Sequence, residues 1–178
     1  MWNLFRKIIA LLKGFLIKYY YFRKLEIKLP FLFFSVSTLF LKNGSRTIIG
    51  KKASFAKHVE LIVDGQLIIG ENFCINKYSR IVAFEKINIG KNVTIAQFVS
   101  ILDHDHAYQF ENGNMKLEGY TTKPINIGNF VWIGDKVTIC KGVNIGNNVI
   151  IGANSLVNKD IENNCIAGGI PCKKIKSL

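Results

Sequence analysis

Two of the three histidines in this 178-residue chain stand two residues apart, in the run Asp103-His104-Asp105-His106. Imidazole is the side chain best suited to accept a hydroxyl proton near neutral pH, so the run holds the candidate general base. Asp103 or Asp105 could hold the imidazole tautomer, and solvation of a charged loop accounts for the same acids equally well. No metal is expected, because a histidine pair two residues apart on a loop lacks cysteine or clustered carboxylate companions. His58 stands alone among repeat positions and reads as structural. Cys74, Cys140, Cys165 and Cys172 form no CxxC pair and nothing resembles a cleavable signal peptide, which suggests reduced structural thiols in the cytoplasm.

Charge narrows the partners. The 24 Lys+Arg against 12 Asp+Glu leave +12, which favours a polyanion such as nucleic acid, a phosphorylated cofactor or an anionic membrane. The excess gathers at the two ends, with Lys173-Lys174-Ile175-Lys176 in the tail, where it could also be an ordinary solvated terminus. Aromatic and basic residues lack the interleaving of a base-stacking platform, so nucleic acid is not expected.

The element that must position these residues is a repeat. Aliphatic residues recur every six positions at Ile127, Ile133, Ile139, Ile145, Ile151 and Val157, with Gly128, Gly134, Gly146 and Gly152 following four of them. An earlier block runs Ile69, Ile75, Ile81, Ile87 and then slips by two residues into Ile89, Ile95 and Ile101, a slip expected to be a small bulge. A six-residue period cannot stay on one face of a helix with 3.6 residues per turn. Glycine and asparagine at Gly90-Lys91-Asn92 and Gly146-Asn147-Asn148 leave strands too short for a sandwich. Short strands with tight corners remain, and they imply a triangular parallel β-helix. About five or six coils at roughly 4.8 Å would give a prism on the order of 25 Å tall, capped by the segment before Ile49 and the tail after Asn163. The stretch 107–124 has no hexapeptide pattern and reads as a protruding loop with turn residues Glu111-Asn112-Gly113-Asn114.

Residues 1–28 form a separate basic segment ahead of a domain spanning 29–178. Arg6, Lys7, Lys13, Lys18, Arg23, Lys24 and Lys28 face one acid, Glu26. Asn3, Arg6, Lys7, Lys13, Gly14 and Lys18 share one side of a helix, and large apolar residues cover the rest. Lys13 and Lys18 leave no 18-residue apolar run, so the segment does not span a bilayer. It either lies on an anionic membrane, at the inner face of the cytoplasmic membrane, or caps the prism.

The motifs Lys123-Pro-Ile-Asn-Ile-Gly128, Val131-Trp-Ile-Gly134, Ile151-Gly-Ala-Asn-Ser155, Val157-Asn-Lys-Asp160 and Ala167-Gly-Gly-Ile-Pro-Cys-Lys173 resemble the hexapeptide-repeat acetyltransferases. The likeness is strongest to galactoside and maltose acetyltransferases and bacterial polysaccharide O-acetyltransferases, over roughly residues 69–176. It implies an all-β fold, a left-handed parallel β-helix, assembled as a homotrimer with active sites between prisms. It also implies acetyl-CoA as co-substrate and direct acetyl transfer to a sugar hydroxyl in surface glycan or lipopolysaccharide biosynthesis. N-acetylation of an amino-sugar nucleotide and a non-catalytic β-helix scaffold are the alternatives.

Ungapped alignment on the family places its active-site histidine at His106 and its acceptor-contacting asparagine at Asn76, whereas a gapped alignment selects His104. Trp132 matches the family's active-site tryptophan. Gly134, Asp135, Gly152, Ala153, Asn158 and Lys159 match positions near coenzyme A, and Lys173 and Lys176 match basic residues against its phosphates. Phe84 replaces the acceptor-binding aspartate of the galactoside enzymes, leaving the adjacent Glu85 and Asp103 as acceptor-binding candidates. The acceptor is therefore not expected to be a simple galactoside.

Overall fold

A six-residue period sets successive aliphatic side chains on one inward line, and a second line two residues earlier doubles the filling. Val131 and Ile133, Val137 and Ile139, and Val143 and Ile145 are all buried on this plan. In a computed structural model, which describes residues 2–21, 23–28, 31–33 and 36–178, these pairs line the inside of a three-sided parallel β-solenoid. One face stacks Leu25–Ile27, Arg46–Ile49, Gln66–Ile69, Lys86–Ile89, Ile125–Ile127 and Asn144–Ile145. The second stacks Phe31–Phe33, Ala53–Phe55, Cys74–Ile75, Thr94–Ile95, Val131–Ile133, Val149–Ile151 and Cys165–Gly168, and ends with Lys173–Ser177 laid antiparallel. The third stacks Val36–Leu41, Val59–Val63, Arg80–Ala83, Ser100–Leu102, Thr138–Ile139 and Leu156–Val157.

The first corner of each coil explains the glycines. A Cβ on Gly70 would stand 2.5 Å from the Gly90 carbonyl oxygen, and one on Gly90 would stand 2.5 Å from that of Gly128. Only a residue without a Cβ lets the coils stack at strand spacing there. Two residues on, Asn72, Asn92, Asn148 and Asn164 take left-handed backbone conformations, which asparagine tolerates better than most side chains.

Three expectations change. The two-residue slip is a widened corner, not a bulge in a strand. Ile81 is followed by Ile89 eight residues on, Ile101 by Ile127 twenty-six residues on, and Ile139 by Ile145 six residues on, so length variation falls on the third corner. Strands Leu25–Ile27, Phe31–Phe33 and Val36–Leu41, within the stretch assigned above to the amino-terminal basic segment and cap, join the three faces as a first coil, Leu25–Ile27 pairing with Thr47–Ile49. Phenylalanines there replace the isoleucine repeat, which hides the coil from a hexapeptide search. Finally, 104–122 is no irregular loop but an antiparallel hairpin of His104–Glu111 and Asn114–Thr122 projecting from the widened corner. Its tip, Asn112 (φ 52) and Gly113 (φ 78), has the doubly left-handed conformation of a two-residue hairpin turn.

Helix α1, Trp2–Tyr20, packs on Leu25–Ile27 and Phe31–Phe33 at the open end of the prism. Lys18 donates from Nζ to the Ile27 carbonyl at 3.1 Å, and the Tyr21 hydroxyl donates to that of Leu39 at 3.0 Å. The helix thus closes an end that would otherwise leave strand edges and core exposed.

Candidate active site

The site begins where the third corner widens. Asp103 is wholly buried at 0% exposure, and its carboxylate caps the corner of the preceding coil. Its Oδ1 accepts the Phe84 N–H at 2.7 Å, and its Oδ2 accepts the Glu85 and Lys86 N–H groups at 2.8 Å each. Three charge-assisted bonds satisfy backbone donors that the widened turn strips of ladder partners. Asp103 thus holds the corner, both its carboxylate oxygens engaged by backbone donors and shielded from solvent. Glu85 is exposed beside it.

His104 is wedged against aromatic rings. Its imidazole stacks on Phe84 with centroids 3.9 Å apart and planes 9° from parallel, and Tyr120 meets both rings edge-on. Its buried Nδ1 lies 3.6 Å from Asp103 Oδ1, too far for a hydrogen bond, and has no other partner.

Strand pairing places His106 opposite Tyr120, Tyr108 opposite Leu117 and Phe110 opposite Met115, on the same side of the ribbon as His104. A register shift beside Ala107, with Gly119 at φ 71, keeps both ends of the aromatic face aligned. His106 is exposed, with its ring 4.8 Å from that of Tyr120. Asp105 and Thr121 lie on the opposite, polar side. Lys141 of the next coil holds them, with Nζ 3.1 Å from Asp105 Oδ2 and donating to Thr121 Oγ1. Asp105 is thereby committed to a lysine.

The remaining candidates fall on other parts of the prism. Asn76, half-buried, sits at the second corner, on the same edge as the stacked neighbours Gly134-Asp135 and Gly152-Ala153. A Cβ on Gly134 would come within 2.7 Å of the Ala153 nitrogen, so these coils approach closely. Asp135 Oδ1 accepts the Gln97 N–H at 2.9 Å and steadies that edge. Trp132 is 54% exposed on the second face, in a groove with Phe130, Asn148 and Ile150. Asn158 and Lys159 are exposed at the third corner of the last full coil, and Lys173 and Lys176 on the final antiparallel strand. One prism thus brings together His104 and His106, and separately Asn76, Asp135 and Ala153, without placing the two groups on one edge. His58 stacks on Tyr78 with centroids 5.0 Å apart, which suits the structural reading.

Burial pushes the thiols of Cys74, Cys140, Cys165 and Cys172 up, with Asp105 adding to the effect at Cys140. None is poised as a thiolate nucleophile.

Tyr120 and Lys141, which flank the histidines, were not singled out by sequence, and Phe84 was noted only as a departure from the galactoside enzymes and not as the partner of His104. The dipeptide Asn112-Gly113 carried the signal, because a hairpin centred on it sets Tyr120 near His106.

Residues 124–159 match the model of the bacterial transferase hexapeptide family, of six repeats. The galactoside O-acetyltransferase of Escherichia coli is 39% identical over 133 residues, covering 73% of this chain and 63% of that protein. A putative lipopolysaccharide biosynthesis O-acetyl transferase of the same organism is 34% identical over 119 residues, covering 63% and 61%. The crystal structure of a maltose O-acetyltransferase from Clostridium difficile is 35% identical, with TM-score 0.63, covering 73% of this chain and 68% of that one. The chain belongs to the hexapeptide-repeat acetyltransferase family. A galactoside acetyltransferase of this family solved in complex with coenzyme A is 35% identical, with TM-score 0.55, covering 69% of this chain and 58% of that one. The chain spans about three fifths of the length of the curated relatives it matches, 63% and 61% of the two named above.

Proposed function

We propose that this family member transfers an acetyl group from acetyl-CoA to a sugar hydroxyl of a surface glycan or lipopolysaccharide, with His106 as general base. The observation that carries the reading is the exposed imidazole of His106 on the aromatic side of the hairpin, beside a half-buried His104 stacked on Phe84. His106 accepts the acceptor's hydroxyl proton as that oxygen attacks the thioester carbonyl. The resulting tetrahedral oxyanion collapses with cleavage of the carbon–sulfur bond, and the imidazolium returns the proton to the departing sulfur. No acyl-enzyme is formed, in keeping with four thiols held protonated by burial.

The division of candidates between two edges supports a homotrimer. The third corner of one prism, bearing His106, would face the second corner of its neighbour, bearing Asn76, Gly134, Asp135, Gly152 and Ala153. Trp132 would flank the thioester end. Asn158 and Lys159 would meet the pantetheine arm, and Lys173 and Lys176 would supply charge for the nucleotide phosphates. Phe84, stacked on His104, offers an apolar wall where a carboxylate could bind a hydroxyl, with Glu85 next to it as a polar contact.

The test incubates the protein with acetyl-CoA and a panel of oligosaccharides, lipid-linked sugars and amino-sugar nucleotides, with mass detection. An added acetyl ester on a glycan is the expected product. Amide products alone would move the assignment to N-acetylation, and absence of both transfer and CoA binding would leave a scaffold.

A further inference from the structure

Helix α1 buries its small residues and displays its large ones. Ala10 (1% exposed) and Gly14 lie on the prism side, joined by the partly buried Ile17 and Tyr21. On the opposite side, at helical steps of three and four, Ile8, Leu12, Leu16 and Tyr19 are 47%, 58%, 70% and 85% exposed, and Phe5 and Phe15 add exposed ring surface. A helix on a water-facing protein surface ordinarily turns its large apolar stripe inward. Here the side bearing Ala10 and Gly14 meets the first coil, and the outward stripe runs from Phe5 to Tyr19.

We propose that this stripe docks on an anionic lipid bilayer, with the helix parallel to the surface and Ile8, Leu12, Leu16 and Tyr19 among the acyl chains. Charge selects that occupant. The chain carries +12, and Lys13, Arg23 and Lys28 are exposed beside the helix or just beyond it. A second copy brought to the stripe would set cation against cation, whereas anionic headgroups attract each cation held near the surface. The contact is peripheral, since among the described residues no helix is long and apolar enough to cross a membrane. The inference stands apart from the catalytic reading and would place the prism beside lipid-borne acceptors.

Flotation of the full-length chain with phosphatidylcholine–phosphatidylserine vesicles and with pure phosphatidylcholine vesicles tests it. Binding to the former alone, weakened by salt, is expected. The variant L12E/L16E, altered at two exposed positions, should bind at least about a hundredfold more weakly, because two buried leucines are lost to charges. Its circular dichroism and oligomeric state should match the parent's. Failure of the full-length chain to float with anionic vesicles overturns the proposal, as does undiminished binding by L12E/L16E. Dissociation of an oligomer by L12E/L16E without vesicles would instead show the stripe to be a contact between copies.

Discussion

The imidazole of His104 and the ring of Phe84 lie face to face, 3.9 Å between centroids, across the widened third corner. The stack ties the first residue of the hairpin to the coil beneath it. His106, two residues further along the same side of the ribbon, is therefore carried outward on an anchored base and remains exposed.

That division of labour predicts unequal mutants. His106→Ala should lower turnover by at least about a hundredfold, the low end for a positioned general base, with little change in CoA affinity. His104→Ala should be milder and should loosen the hairpin, seen as faster amide exchange across 104–122. A dead His104→Ala enzyme beside an active His106→Ala enzyme would reverse the roles.

Asp103→Asn should destabilise the fold by about 2–4 kcal/mol in denaturant titration. The buried carboxylate accepts three backbone N–H groups. An amide in the same place turns one acceptor into a donor facing donors. A loss below about 0.5 kcal/mol, inside the range of ordinary surface substitutions, would show that the corner holds without the charge.

Two glycines give a paired test of coil stacking. Gly90→Ala would set a Cβ 2.5 Å from the Gly128 carbonyl oxygen, and overpacking of this kind costs about 1–3 kcal/mol or more. Gly152→Ala meets nothing nearer than 3.6 Å, and its melting temperature should stay close to the parent's. Equal effects at both sites would contradict the close approach at the first corner.

The four thiols, two buried and two partly buried, make stability fall in alkali. Each is raised by desolvation above the ordinary value of 9.0, so above that pH the unfolded chain releases protons that the folded chain retains. Their contribution is whole below pH 9.0 and is lost as pH rises through the higher folded values. Calorimetry should show little thiol-dependent change between about pH 7 and 8 and a decline beyond pH 9, smaller in a Cys74→Ala/Cys172→Ala variant. An equal alkaline decline in that variant would assign the effect to other groups.

Much of the prism was legible because each hexapeptide states its own geometry. An isoleucine every six residues must point inward, and the glycine after it marks a corner where the next coil passes too closely for a Cβ. The histidine run was legible by residue type alone. The first coil was not, since its strands Leu25–Ile27 and Phe31–Phe33 pair in register with Thr47–Ile49 and Ala53–Phe55 without the isoleucine repeat that betrays the later coils. Nor was the role of Asp103, whose partners Phe84, Glu85 and Lys86 lie 17 to 19 residues earlier and become neighbours only when one coil lies on another.

The sequence by itself determined a six-residue solenoid, an interrupting segment beginning at two histidines, and an amino-terminal helix with two unlike sides. Tertiary structure decided which histidine is enclosed by Phe84 and Tyr120 and which is exposed, and which side of the helix meets the prism. The physical reason is that periodicity fixes the direction of a side chain relative to its own strand or helix, whereas its exposure depends on what another coil sets against it. Ala10 and Gly14 are buried because their side of the helix meets the first coil, and Leu12 and Leu16 on the other side are left outside.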